Sequence, residues 1–152
     1  MDLSGNKDLL DRRLVAFFAS RTSPPAARTL AMRWADEVSQ TDKVVISGFH
    51  SPIERTVLDI LLAKRCSVVV ALGRALYHKI PSHLQTAYDQ NRVLFISFRE
   101  STRPSLSSSQ LRNWAAADLA SEIIFAPFYP TSQLSSLHYA LSIGSKSCVV
   151  LG

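Results

Sequence analysis

Short apolar runs recur along the chain at Leu14 to Ala19, Lys43 to Ser47, Ser67 to Leu72, Arg92 to Ser97, Glu122 to Ala126 and Lys146 to Leu151. Most are rich in Val, Ile or Phe and show little polar alternation, which is the pattern of a strand buried on both faces. The segments between them carry helical spacing. Ala27, Leu30, Ala31, Trp34 and Val38 fall on one face, as do Ile53, Val57, Ile60 and Leu61, and later Leu134, Leu137, His138 and Leu141.

Helix boundaries are also written in. Ser51-Pro52-Ile53-Glu54 combines an N-cap serine, proline at the first helical position and a capping-box glutamate, and Ser23-Pro24 repeats the cap and proline. Gly144 is placed to end the last helix. Strands alternating with helices at this spacing imply parallel pairing through right-handed crossovers. The expected fold is a single α/β domain over 1–152, with a doubly wound, mainly parallel, Rossmann-like sheet of about six strands and helices on both faces. The stretch Arg99 to Ser109 has almost nothing apolar and reads as a surface loop.

With 152 residues, 47% of them hydrophobic, the chain can bury a continuous core without a metal or disulfide. Cys66 and Cys148 lie beside Val-rich runs with no zinc-ligand spacing around them, so both read as reduced core cysteines, which favours a cytoplasmic location. No apolar run is long enough to span a membrane, so no membrane partner is expected. The formal charge of +5, spread along the chain without a basic tail, favours an anionic ligand.

In an open parallel sheet, ligands bind beyond the carboxyl ends of the strands, near the point where strand order reverses. Those ends carry Ser20-Arg21, then Ser47-Gly48-Phe49-His50, then Gly73-Arg74, then Phe98-Arg99, and Pro127 to Ser132 after the fifth run. Glycine allows close backbone approach, helix N-termini offer unpaired N–H groups, and arginine offers a two-pronged donor: the composition suits phosphate. Neither G-x-G-x-x-G nor G-x-x-x-x-G-K-[ST] occurs, which argues against a standard dinucleotide dehydrogenase or P-loop NTPase.

No G-x-S-x-G elbow or H-E-x-x-H pair is present, so non-enzymatic binding is favoured and no cofactor is expected. Glu54 is explained by its capping box without chemistry. His138, on an apolar helix face, reads as a core histidine, and His78 and His83 lack a third metal ligand. Arg112-Asn113 is open between two readings. Either Leu111 and Trp114 pack inward and leave Arg112 in solvent, or Arg112 and Asn113 present donors at the ligand crevice.

The order Ala19-Ser20-Arg21, Ser47-Gly48, Ile80-Pro81, Arg112-Asn113 and Ala140-Leu141-x-x-Gly144 resembles the Rossmann-like core of the DprA/Smf family of DNA-processing proteins. That family shows GSR after the first strand, SG-x-A-x-G-ID after the second, YP after the third, RN opening a helix, and SGSL-x-TA-x-x-AL-x-x-G before the last strand. The resemblance implies single-stranded DNA or another nucleotide-derived ligand, with Ser20, Arg21, Ser47, Gly48, Arg112 and Asn113 around a phosphate pocket. It also implies a recombinase partner; a homodimer is left open.

Phe49 is the expected stacking face, and His50, Gly73, Arg74 and Ser132 complete the candidate ligand residues. Two departures stand out. Phe49-His50-Ser51-Pro52-Ile53-Glu54 keeps the acid but lacks the second glycine, and Thr131-Ser132-Gln133-Leu134 replaces SGSL. The chain ends directly after the sixth run, so a stand-alone core or a fragment is expected. The alternative is a small-molecule nucleotide-binding enzyme or sensor like the phosphoribohydrolases, but their PGG-x-GT-x-x-E signature is missing near Pro127 to Ser136.

Overall fold

A computed structural model of the chain describes residues 1–98 and 106–152. It contains strands β1 (Asp2–Gly5), β2 (Leu14–Phe18), β3 (Val44–Ser47), β4 (Val68–Leu72), β5 (Val93–Ser97), β6 (Glu122–Phe125) and β7 (Ser147–Val150). The helices are α1 (Ala27–Val38), α2 (Pro52–Ala63), α3 (Ser82–Asp89), α4 (Leu106–Leu119) and α5 (Leu134–Ser142), with a 3-10 turn at Lys7–Asp11.

All six apolar runs form strands, joined in one sheet of order β1-β5-β4-β3-β2-β6-β7. Every pairing is parallel except β1 with β5, so the architecture is the Rossmann-like doubly wound sheet expected from the pattern. Strand order reverses at β2: β3, β4 and β5 are laid down on one side of it, β6 and β7 on the other. The carboxyl ends of β2 and β6 therefore part as the chain leaves in opposite directions, which opens a crevice.

Alternation along each strand divides the core into two layers. Val15 and Phe17 pack with α1, α2 and α3, where Ala27, Ala31 and Ala35 let α1 lie close to the sheet. Leu14, Ala16 and Phe18 pack on the other face with Ala116, Ala117 and Ala120 of α4 and Leu134 and Leu137 of α5. Phe17 also stacks on Trp34 of α1 at 5.0 Å between ring centroids. Both cysteines are free and partly buried, and burial raises the pKa of each thiol.

Three local expectations are corrected. The sheet has a seventh strand, because β1 is a polar edge strand (DLSG) without an apolar run; its register on β5 ends at Gly5, whose φ of +115° brings its backbone against the Val93 carbonyl. Ser23 does not cap α1: its hydroxyl donates to the Ser20 carbonyl at 3.1 Å, and a turn over Pro24 precedes the helix instead. The loop expected over Arg99 to Ser109 is helical from Leu106 onward, with Ser108 buried against Gly73; Arg99 and the rest of that stretch to residue 105 lie outside the described residues. Among the described residues, no helix is long and apolar enough to cross a membrane.

Candidate functional site

The crevice at the reversal point is a cavity of about 670 Å³. The turn after β2 supplies Ser20 and Arg21, the turn after β3 supplies His50, α4 supplies Arg112 and Asn113, and the segment before α5 supplies Ser132. Ser20, Arg21, His50 and Ser132 were expected from the strand-end pattern and Arg112 and Asn113 from the family resemblance, and the fold brings all six together. Thr22, Ser109, Tyr129, Thr131 and Gln133 also line the cavity and were not singled out.

Glu54 sets the geometry of this wall. It completes a capping box at the start of α2, with Ser51 Oγ accepting from the Glu54 N–H and the Glu54 carboxylate accepting from the Ser51 N–H at 3.2 Å. The same Oε1 accepts from the His50 N–H at 2.9 Å, and Oε2 accepts from the Ala19 N–H at 3.0 Å. Only 3% of Glu54 is exposed, and one carboxylate thus joins the end of β2 to the end of β3. The capping-box reading holds, but the bond to Ala19 spans 35 positions in sequence and has no local signal.

Arg112 is 8% exposed, yet among the described residues it forms no ion pair. The ion pairs among the described residues are Lys43–Glu122 and Lys64–Asp36; the side-chain bond made by Arg112 is a long one, Nε to Asn113 Oδ1 at 3.4 Å. Burial lowers the pKa of its guanidinium from the usual value while the charge of Glu54 opposes the shift, but guanidinium remains protonated under ordinary conditions. A buried, hydrogen-bond-rich cation lacking an anion and facing a cavity marks an anion site.

Gly48 makes room for it: a Cβ there would stand 2.5 Å from Arg112 Nε and 2.8 Å from Cδ and Cζ. Of the two readings left open for this segment, the one with Leu111 and Trp114 packed inward fails, since they are 44% and 47% exposed while Arg112 is buried against Gly48. The register of α4 explains this, because Ser108, Arg112, Ala116 and Ala120 share a face that lies tightly on the strands.

The other flank is built on α5. Ser20 Oγ and Ser132 Oγ share a short hydrogen bond across the cavity, and Ser132 Oγ accepts from the Leu134 N–H at 3.1 Å. Gln133 gives α5 no side-chain cap; Ser132 instead takes the Leu134 and Ser135 N–H groups on its hydroxyl and carbonyl, and the positive end of the helix dipole faces the cavity. His50 is exposed, and its pKa is lowered by burial of part of the ring and by Arg112, with Glu54 pulling upward and Arg21 and Arg55 downward. The imidazole is therefore mainly neutral at pH 7 and has one N–H to donate.

Four sequence-picked residues sit elsewhere. Ser47 is fully buried, its Oγ accepting from the Phe49 N–H at 3.0 Å. Phe49 is 6% exposed and belongs to the core, so it offers no open stacking face at the large cavity; its φ of +48° is a left-handed conformation costing about 1 kcal/mol or more. Gly73 meets the Ser108 backbone, and Arg74 lies 4.4 Å over the Tyr77 ring. Both follow β4, two strands from the reversal point. His138 packs edge-on against Phe125 and Phe128, as a core histidine does. Among the described residues, no group of three His, Cys, Asp or Glu side chains could hold a metal ion.

The model of the family described as DNA recombination-mediator protein A matches residues 2–150. The chain belongs to that family. Solved structures similar in fold include the DNA processing protein A of Streptococcus pneumoniae (TM-score 0.75, 21% identity, covering 97% of this chain and 52% of that one). Another is the DNA processing protein A of Helicobacter pylori, solved for its single-stranded DNA binding mode (TM-score 0.63, 20% identity, covering 81% of this chain and 58% of that one). The chain spans just over half the length of these structures. No curated protein matches it.

Two substitutions should move stability in opposite directions. Glu54→Ala strands three amides at a buried junction and is expected to cost about 2–4 kcal/mol. Arg112→Met, which removes at similar volume a buried charge whose desolvation outweighs its attraction to Glu54, is expected to raise the melting temperature by an amount equivalent to about 1 kcal/mol or more. Thermal unfolding followed by circular dichroism checks both; a destabilised Arg112→Met protein would mean that the guanidinium is already satisfied.

Proposed function

We propose that this chain binds single-stranded DNA without chemical turnover, holding the phosphodiester backbone in the cavity between the ends of β2 and β6. The observation that carries the reading is Arg112, a buried guanidinium with no described carboxylate paired to it. Arg21 adds an exposed charge at the rim, Ser20 and Ser132 add hydroxyls, and the start of α5 adds the positive end of its dipole. Each is a donor or a positive charge and suits an anion with several acceptor oxygens.

Membership of a DNA recombination-mediator family, and the single-stranded DNA bound by the H. pylori relative, make DNA the favoured source of that phosphate. Two residues that depart from the family pattern fit the same role in part. His50 offers an N–H, and Ser132 organises α5 by accepting from Leu134. A cytoplasmic location and a recombinase partner follow from the same reading.

Anisotropy of a labelled single-stranded oligonucleotide at two salt concentrations tests the site. Affinity should fall steeply as salt rises, and Arg21→Ala and Arg112→Met should each weaken binding, Arg112→Met by roughly tenfold or more, given about 1.5–3 kcal/mol for a hydrogen bond to a charged group. Wild-type affinity in Arg112→Met would contradict the reading. A salt-insensitive preference for a mononucleotide, with product formed, would select a small-molecule enzyme instead.

A further inference from the structure

A second, smaller cavity of about 260 Å³ opens beside the first, beyond the ends of β3, β4 and β5. The two share His50, and Gly48, which lines the second, is the residue against which Arg112 of the first is packed. Its floor is apolar: Leu58, Val70, Leu72, Leu84 and Phe95 are all at least nine-tenths buried. Tyr77 forms an aromatic wall, held edge-on to Phe95 at 5.6 Å between ring centroids and covered by the Arg74 guanidinium at 4.4 Å. Exposed His50, Arg55 and His83 stand at the rim.

We infer that this second cavity is a nucleobase subsite, filled by a base of the strand whose phosphate lies against Arg112; the inference rests on the DNA reading above. Three features select that chemistry. The volume is below the roughly 300–1,000 Å³ of pockets that enclose a whole drug-sized ligand, so it suits one ring system and not a complete nucleotide. Apolar floor and aromatic wall suit a flat π-face and would leave a sugar or a phosphate without partners. The polar rim can meet heteroatoms at a base edge.

The strained turn fits this use. Phe49, at φ +48°, has its side chain in the core and lines the second cavity, so its ring helps form the floor beneath the base. Arg74, which does not reach the large cavity, acquires a positioning role through its contact with Tyr77.

The test compares an oligothymidylate with an abasic phosphodiester strand of equal length, by anisotropy, on the full chain. The thymidylate should bind about tenfold tighter or better, the increment of one stacked base. Tyr77→Ala should abolish that preference while leaving abasic-strand affinity unchanged, and Tyr77→Phe should retain it. If Tyr77→Ala fails to fold, Leu84→Phe, which fills the cavity from its floor, should show the same loss. Equal affinity of the wild type for both strands overturns the inference and leaves the phosphate site standing, as does a preference that survives in folded Tyr77→Ala or Leu84→Phe. Failure to bind either strand overturns the DNA reading and the subsite with it.

Discussion

The Glu54 carboxylate accepts hydrogen bonds from the amides of Ala19, His50 and Ser51, and that junction fixes the ends of β2 and β3 beside the cavity. A parallel sheet leaves the ends of neighbouring strands free to diverge into separate loops. Here a single buried acid ties two of them, so that Ser20 and Arg21 face the same hollow as His50. The arrangement satisfies amides that would otherwise point at apolar side chains, and it consumes the start of α2 in doing so. The start of α5, capped by Ser132, is the helix end that faces the cavity.

Against this framework Arg112 is held in a state that costs stability. Its guanidinium is buried over Gly48 without a carboxylate at ion-pair distance, close to a residue in a left-handed backbone conformation. Unfavourable features concentrated in one place are the mark of a site kept for binding, since neither helps the chain fold. An arriving phosphate would supply the missing charge and acceptors together.

Five of the six runs were legible because strands covered on both faces demand continuous apolar residues; the sixth also forms a strand, but β7 is an edge with Val149 and Val150 exposed. β1 was not legible, because an antiparallel edge strand half open to solvent needs only Leu3 on the core side. Of the candidate ligand residues, Ser20, Arg21, His50, Arg112, Asn113 and Ser132 converge as the strand-end rule implies. Gly73 and Arg74 do not, because that rule depends on strand order, and nothing local in a sequence reveals that β4 lies two positions from β2. The orientation of α4 was open for a related reason. Weighing residues by hydrophobicity turns Trp114 inward, whereas the close approach of the helix to the sheet admits Ser108, Ala116 and Ala120 and leaves space beside Gly48 for an arginine.

If Arg112, a buried cation with no ion pair among the described residues, receives the phosphate, its side-chain Nε–H resonance in a ¹⁵N correlation spectrum reports on it directly. On titration with a single-stranded oligonucleotide, that signal should shift and gain protection from solvent exchange, while that of Arg13, far from the cavity at the opposite end of β2, stays in place. An Arg112 signal unmoved at saturation would show that the bound strand lies elsewhere and that the buried charge has another purpose.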